Sequence, residues 1–211
     1  MTHLPPLLVL TDRAAAATRG WTLAEAVAAA VEAGARAVVF REKDLAPADR
    51  RSLGAEVVAV MPPDGWLLVA SDARLAADLG AAGVHLAAGD SWPEPRPAAV
   101  GRSCHDRAEV RAAAAEGVDY VTLSPVYPTS SKPGYGPALG HAGLAKIARA
   151  SPVPVVAVGG MSAANIADAV AAGAAGIAVM GGVMRADDPA REVRALLDAL
   201  NACRAKGSPP T

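Results

Sequence analysis

Hydrophobic residues along the chain occur in short runs that alternate with alanine-rich segments. Eight runs predict strands: Leu7–Thr11, Ala37–Arg41, Trp66–Ser71, Gly83–Leu86, Ala99–Cys104, Tyr120–Ser124, Val153–Val158 and Gly176–Met180. The segments with helical character are Thr22–Glu32, Pro47–Val60, Arg74–Leu79, Arg107–Glu116, Ala142–Ala150, Ala163–Ala171 and Pro189–Arg204. Strand runs that are apolar almost throughout, joined by crossover helices, indicate a parallel sheet covered on both faces.

A repeated glycine marks the joints between these elements. "EAGARAVV", "DLGAAGVHL", "AEGVDYVTL" and "AAGAAGIAVM" each place Gly just after a helical segment and before a strand, as helix C-caps do. Eight such units predict a single (β/α)₈ TIM barrel over residues 1–206, since ~200 residues is the compact end of that fold's range. A doubly wound open sheet is the alternative. We expect residues 207–211 to form a flexible tail.

Composition narrows the class of protein. The net charge is −1 and the pI about 6.4, so no basic field suggests a nucleic-acid partner. The two cysteines, Cys104 and Cys203, have neither metal-site nor disulfide-framework spacing. No signal-peptide pattern and no membrane-spanning apolar stretch is found in the sequence. These features predict a cytoplasmic protein without a membrane partner.

In a TIM barrel the chemistry lies where the strands end. Arg41 and Lys43 are two residues apart at the end of the second strand, so both are expected to face one cleft and attract a phosphate or diphosphate. The alternative is a salt-bridged rim with Glu42 and Asp44. We favour the anion site.

Two aspartates follow the next two strands. Asp72 ends "VASD" and Asp90 ends "HLAAGD", and carboxylates from adjacent strand ends can share a Mg²⁺ that also bridges to substrate phosphates. Either aspartate alone is equally typical of a helix N-cap or a turn. Beside two cations, Mg²⁺ binding is the preferred interpretation.

Glycine pairs and a long loop predict further anion contacts. "VGGM" and "VMGG" end the seventh and eighth strands, where this fold commonly binds phosphate. The loop after the sixth strand, Ser124–Gly140, contains Lys132, several hydroxyls and no carboxylate. Two anion pockets predict two phosphorylated substrates or one bisphosphate.

The fifth strand ends in "SCH". Ser103 and His105 share one face while Cys104 takes the other, so a catalytic Cys–His dyad is not expected and Cys104 reads as a small buried hydrophobe. We interpret His85 as a histidine at the edge of the core with its hydrogen bonds satisfied.

Seven segments, in order along nearly the whole chain, resemble the superfamily of thiamine phosphate synthase and thiazole tautomerase, which are (β/α)₈ barrels. They are "LLVLTD", "REK", "SD…AAGVHLAAGD", "GRSCH", "DYVTLSPVYPTSSK", "PVVAVGGM" and "AAGAAGIAVMGGV". In the synthase, hydroxymethylpyrimidine diphosphate loses pyrophosphate with the assistance of Mg²⁺, and a thiazole phosphate captures the pyrimidine cation.

The resemblance implies a role for each matching residue. Arg41, Lys43 and Lys132 would hold the pyrophosphate with help from Ser103, and Asp72 and Asp90 would ligate Mg²⁺. The thiazole substrate would contact Thr129 and Ser131, and its phosphate would contact backbone amides at Gly160, Met180 and Gly181. A homodimer is also expected from the resemblance.

Three positions depart from the two branches. Val39 replaces a glutamine and Ser71 an asparagine of the synthase, while Pro125 stands where the tautomerase has its catalytic histidine. The "GRSCH" and "KPGYGPALG" stretches are more similar to the tautomerase. The alternatives to a synthase are therefore a tautomerase-like isomerase using His105 as acid or base, and a non-catalytic barrel that binds thiazole or thiamine phosphate.

Overall fold

The eight predicted strands form one closed barrel. The computed structural model describes residues 4–129 and 137–207. The strands are β1 Leu7–Leu10, β2 Ala37–Phe40, β3 Trp66–Ala70, β4 Gly83–Leu86, β5 Ala99–Cys104, β6 Tyr120–Leu123, β7 Val155–Val158 and β8 Gly176–Val179. Each strand pairs in parallel with the next, and β8 pairs with β1. The predicted (β/α)₈ barrel is confirmed, and the open sheet is wrong.

Helices cover the outside of the barrel. Within the described residues they are α1 Arg13–Ala17, α2 Leu23–Glu32, α3 Pro47–Val60, α4 Ala73–Asp78, α5 Arg107–Glu116, α6 Gly140–Ala148, α7 Ile166–Ala171, α8 Gly181–Met184 and α9 Pro189–Gly207. The sequence pattern missed α1 and α8, because helices of five and four residues are too short to show helical periodicity. Helix α9 includes Gly207, the first residue of the predicted tail, and 208–211 lie outside the described residues.

The repeated glycines take the predicted conformation. Gly34, Gly80, Gly117 and Gly173 all have positive φ, between 62° and 110°. This left-handed backbone ends a helix without the steric cost that a Cβ would impose. At the other end of the helices, Asp12, Asp72 and Asp106 follow strands and accept hydrogen bonds from the first turns of α1, α4 and α5. The strand-to-helix joints are therefore short and fixed.

The barrel interior is filled by small residues around one large ring. Its cluster comprises Leu8, Ala37, Val39, Leu68, Ala70, Ala99, Tyr120, Val156 and Ala178. Tyr120 is fully buried, and Gly101 makes room for it, because a Cβ on Gly101 would lie 2.2 Å from the Tyr120 ring. The interior is thus a packed core that supports whatever lies at the carboxyl ends of the strands. In the described ranges, no helix is long and apolar enough to cross a membrane.

We expect Gly83→Ala to destabilise the barrel strongly. A Cβ at Gly83 would lie 1.8 Å from the Ala99 carbonyl oxygen on β5, and backbone cannot move aside as a flexible side chain can. The expected loss is about 3 kcal/mol of unfolding free energy, at the upper end of overpacking costs, measured by urea denaturation. The control is Gly89→Ala, because a Cβ there meets no atom within 4 Å. Equal stability of the two variants would contradict this packing argument.

Candidate active site

A cavity of about 740 Å³ opens at the carboxyl ends of the strands. Eight of the predicted site residues line it: Arg41, Lys43, Ser103, His105, Thr129, Gly160, Met180 and Gly181. Asp72 and Asp90 do not form part of this wall. Ser131 and Lys132 lie outside the described residues, so their predicted roles are not tested. The structure therefore brings together most of the predicted residues on one surface.

The loop after β2 is held by residues that follow β1. The Thr11 hydroxyl donates to Glu42 Oε1 at 2.8 Å and accepts from the Arg41 N–H at 2.9 Å. Arg13 pairs with Glu42 at 3.1 Å and with Asp44 at 2.7 Å. Hydrogen bonds from Arg13 hold the pKa of Asp44 below its ordinary value. Arg13 therefore takes the acidic partners that the salt-bridged-rim alternative assigned to Arg41 and Lys43.

Arg41 and Lys43 line the same cavity but have different neighbours. Strand β2 ends at Phe40, and Glu42 has a φ of 30°, so strand alternation does not govern this loop. Arg41 Nη1 contacts Met180 Sδ and lies 3.4 Å from the Thr11 carbonyl oxygen, towards β1 and β8. Lys43 Nζ donates to Ser71 Oγ at 2.5 Å, towards β3. The two positive charges are spread along one side of the cavity mouth.

Asp72 has both carboxylate oxygens engaged. Oδ1 accepts from the Leu75 N–H at 2.8 Å, which caps α4, and Oδ2 lies 3.2 Å from Arg50 Nη1. The side chain is 37% exposed and lines a second, neighbouring cavity of about 430 Å³ that shares Lys43 with the first. The helix-cap alternative is thus realised at Asp72. A cap is compatible with an additional ligand, because each carboxylate oxygen has two lone pairs.

Asp90 lies close to Lys43, and Ser71 hydrogen-bonds to both. Its Oδ2 accepts from the Ala87 N–H at 2.7 Å. Burial would raise the pKa of Asp90, but hydrogen bonds from Ser71 and Ala87, with Lys43 and Arg102 nearby, hold that pKa below its ordinary value. Asp90 is therefore ionised at neutral pH. Ser71 connects it to Lys43, which places a carboxylate, a hydroxyl and an ammonium at one edge of the mouth.

Arg102 fixes the loop that carries Asp90. This side chain is buried on β5, and its Nη1 donates to the carbonyl oxygens of Ala87, Ala88 and Asp90 at 2.8–3.1 Å. Its Nη2 forms an ion pair with Glu116 Oε2 at 2.9 Å, although the angle at Nη2 does not meet hydrogen-bond geometry. The sequence pattern did not single out Arg102, because a cation inside an apolar strand run gives no sign of which carbonyls it binds.

His85 is part of the cavity lining and was predicted only as a core-edge histidine. Its Nδ1 is 3.0 Å from the Tyr120 hydroxyl, and its Nε2 is 3.0 Å from Ser103 Oγ and 3.3 Å from Thr122 Oγ1. Burial, with the charges of Lys43 and Arg41, lowers the pKa of His85 to about 4. The neutral ring thus holds Ser103 in place and adds a polar group to an otherwise apolar cavity floor. The prediction that its hydrogen bonds are satisfied is confirmed.

We expect His85 to contribute a pH-dependent part of the stability. Its folded pKa of about 4 is below the unfolded 6.5, so the native state binds fewer protons between these values. The contribution is complete above pH 6.5, is lost as the pH falls towards 4, and amounts to roughly 3 kcal/mol. Urea denaturation from pH 4 to 7 should show a smaller decline for His85→Gln than for the unsubstituted protein. His141→Gln, at an exposed position, should match the unsubstituted protein; identical declines in all three would contradict the expectation.

The faces of "SCH" are as predicted. Ser103 and His105 line the cavity, while Cys104 is fully buried outside the barrel, where burial raises the pKa of its thiol to about 12. His105 Nδ1 is 2.9 Å from Glu109 Oε2, which also accepts from the His105 N–H at 2.7 Å. A carboxylate therefore orients the His105 ring, an arrangement that suits an acid or base.

Glycine turns after β7 and β8 bring backbone close to the cavity. Gly159 and Gly160 have positive φ, and a Cβ on Gly160 would lie 2.5 Å from the Pro128 carbonyl oxygen. Gly181 begins α8, and amides at the start of a helix have no intrahelical acceptor. Arg185, at the end of α8, also lines the cavity. Arg185 was missed because α8 was not predicted.

The described start of the long loop lies against β7. The N–H groups of Val126 and Tyr127 donate to the carbonyl oxygens of Val158 and Gly159 at 2.8 and 3.1 Å. Pro125, Pro128 and Thr129 then line the cavity. The loop is therefore part of the cavity wall up to Thr129, and 130–136 lie outside the described residues.

Comparisons with known proteins agree with this architecture. A family model described as thiamine monophosphate synthase matches residues 7–183. This chain belongs to that family. A thiamine-phosphate synthase of Methanoculleus marisnigri is 37% identical over 95% of this chain and 98% of its own. A putative thiamine-phosphate synthase of Geobacter sulfurreducens is 38% identical over 92% of this chain and 93% of its own.

A solved structure gives the same result for the fold. Thiamine phosphate pyrophosphorylase from Pyrococcus furiosus superposes with a TM-score of 0.82 at 28% identity, covering 93% of this chain and 96% of its own. In this member of the thiamine monophosphate synthase family, the surroundings of Val39 and Ser71 are clear. Val39 lines an apolar wall with Leu10 and Ala70, and the Ser71 hydroxyl binds Lys43.

Proposed function

We propose that this protein is a thiamine-phosphate synthase that couples hydroxymethylpyrimidine diphosphate with thiazole phosphate or its carboxylate. The products are thiamine phosphate and pyrophosphate, together with CO₂ when the carboxylate is the substrate. The observation that carries the proposal is the shared cavity. In a chain of this family, Arg41, Lys43, Ser103, Thr129 and the glycine turns all line one space of about 740 Å³. That is enough room for two small substrates.

Loss of the diphosphate is the step that needs charge stabilisation. As the carbon–oxygen bond breaks, negative charge builds up on the leaving pyrophosphate, and fixed cations lower the barrier most when they face that charge. Arg41 offers a planar fork and Lys43 a point charge. Ser103, held by His85, donates or accepts a hydrogen bond beside them. Lys132 is proposed as a third cation, on the basis of the family resemblance.

Asp72 and Asp90 are proposed to bind Mg²⁺ together with the diphosphate. Two carboxylates from neighbouring strand ends, beside cations that serve the same diphosphate, fit a Mg²⁺ that keeps waters and substrate oxygens among its ligands. The described ranges contain no group of three or more His, Cys, Asp or Glu side chains that could hold a metal ion. The proposal therefore does not assign all the ligands of the ion to the protein. When bound, the ion supplies further neutralisation of the leaving group.

The second substrate is proposed to bind at the loops that follow β6, β7 and β8. Thr129 and Ser131 would contact the thiazole, and the amides at Gly160, Met180 and Gly181 its phosphate. The thiazole nitrogen attacks with its own lone pair, so no general base is required. Positioning is then the main task of this half of the site.

One assay tests the proposed reaction. The purified protein is mixed with the pyrimidine diphosphate, thiazole phosphate carboxylate and Mg²⁺, and the products are separated by chromatography. Thiamine phosphate and pyrophosphate in equal amounts support the proposal. Omission of either substrate is the control. Tight binding of thiazole phosphate without turnover would favour the non-catalytic barrel instead.

The His105–Glu109 pair favours one second candidate, a thiazole tautomerase-like isomerase. A histidine oriented by a carboxylate in the cavity wall is suited to moving a proton on thiazole phosphate carboxylate. That activity would convert one thiazole isomer to another in the absence of the pyrimidine substrate. His105→Gln would abolish isomer conversion if this candidate is correct, and would leave coupling largely intact if the synthase is correct.

We further propose that the protein works in the cytoplasm on small phosphorylated substrates, without a nucleic-acid partner and as a homodimer. The small net charge of −1 supports the lack of a nucleic-acid partner, because it provides no basic field for a polyanion. Light scattering of the purified protein tests the dimer.

A further inference from the structure

Arg50 lies on the inner face of α3, where it lines the second cavity together with Lys43 and Asp72. It is only 8% exposed, whereas its neighbour Arg51 is an exposed residue that pairs with Asp78. A buried guanidinium loses its hydration, so it is retained only where several acceptors satisfy it. The partners of Arg50 therefore indicate why a cation is placed there.

Within the described residues, the hydrogen-bond partners of Arg50 belong to the ends of β2 and β3. Its Nε and Nη2 donate to the Arg41 carbonyl oxygen at 3.1 and 2.8 Å. Nη2 also donates to the Ala70 carbonyl oxygen at 2.7 Å, and Nη1 to Asp72 Oδ2 at 3.2 Å. The guanidinium carbon lies 5.8 Å from the centre of the Phe40 ring. One planar group thus connects the backbone of two strands and one carboxylate.

These contacts act on two parts of the proposed diphosphate site. The bonds to the Arg41 carbonyl hold the start of the loop from which Arg41 and Lys43 extend. The bond to Oδ2, together with the Leu75 N–H on Oδ1, sets the orientation of the Asp72 carboxylate. A lysine at this position would keep the positive charge, but its single nitrogen could not reproduce the planar fork that reaches three groups.

We propose that Arg50 is a positioning residue for the diphosphate half of the active site. It sets the spacing between the Arg41–Lys43 loop and Asp72, and it acts through those residues without touching substrate. The inference rests on the proposed synthase function. It assigns the thiazole half little dependence on Arg50. Among the described residues Arg50 makes no hydrogen bond to the β7 and β8 loops, and Arg41 reaches Met180 through its side-chain sulfur, whereas the proposed phosphate contacts are backbone amides.

The test compares Arg50→Lys and Arg50→Gln with the control Arg111→Gln, which changes an exposed arginine of α5 away from both cavities. We expect Arg50→Lys to raise the KM for the pyrimidine diphosphate, and the Mg²⁺ concentration for half-maximal rate, by about tenfold or more, as supporting residues of ligand groups do. The KM for thiazole phosphate should stay within about twofold. Arg111→Gln should match the unsubstituted protein in all three. Thermal unfolding of each variant identifies any that fail to fold.

Calorimetric binding of pyrophosphate in the presence of Mg²⁺ gives a readout independent of turnover. Weaker binding by Arg50→Lys than by Arg111→Gln supports the proposal. Equal binding, or equal rises in both KM values, would overturn it and leave Arg50 as a residue of general stability. If the unsubstituted protein binds pyrophosphate but couples no substrates, the synthase function fails, and the binding comparison still decides the role of Arg50.

Discussion

Replacing Lys43 with methionine is expected to lower kcat/KM for coupling by a hundredfold to a thousandfold. Lys43 lines both the main cavity and its neighbour, and its ammonium lies 2.5 Å from Ser71 Oγ, beside Asp90. In the proposed reaction a cation there would face the leaving pyrophosphate, where charge develops as the bond breaks. Loss of one such preorganised group costs about 10²–10³ in rate. Methionine keeps the length of the side chain while removing the charge.

The kinetics and a control separate this role from damage to the fold. Lys146→Met changes an exposed lysine in α6 and should leave coupling unchanged. For Lys43→Met we expect the loss mainly in kcat, since charge neutralisation matters most in the transition state. The KM for thiazole phosphate should stay near its original value. Near-normal coupling by Lys43→Met would remove this residue from the proposed mechanism.

The barrel could be predicted because its signals are local. Each strand run is apolar almost throughout, and a glycine ends a helix before four of the strands. Short segments of sequence therefore indicate the order of the elements. The carboxyl ends of parallel strands then meet at one edge whatever the loop details. For this reason Arg41, Lys43, Ser103 and Thr129 were correctly expected to share a surface.

The partners of these residues could not be predicted, since they come from distant parts of the chain. Arg13 lies 29 residues from Glu42, and it removes the acidic partners that local sequence offered to Arg41 and Lys43. The burial of Arg50 could not be predicted either, because two consecutive arginines in a helical segment indicate a solvent-exposed face. Only the packing of α3 on the barrel shows which of the two arginines is buried.

His85 illustrates a different limit. Its position at the end of β4 gave a satisfied histidine as the simplest interpretation, and the hydrogen bonds agree. Sequence alone does not show that its partner Ser103 is itself a cavity residue. The role of His85 as support for that serine follows only from the closed barrel, which brings β4, β5 and β6 side by side.

Asp90→Asn is expected to lower kcat for coupling by about a thousandfold, or roughly 4 kcal/mol. The amide oxygen can still accept the Ala87 N–H, so the loop and its Arg102 contacts should persist, while the charge offered to Mg²⁺ is lost. The low pKa of Asp90 means that the native carboxylate is ionised throughout the neutral range. We therefore expect a loss that higher pH does not restore, with a higher Mg²⁺ requirement. Asp64→Asn, at an exposed ion pair with Arg36, is the control. An unchanged Mg²⁺ titration for Asp90→Asn would exclude the proposed metal role and leave cations alone to stabilise the leaving group.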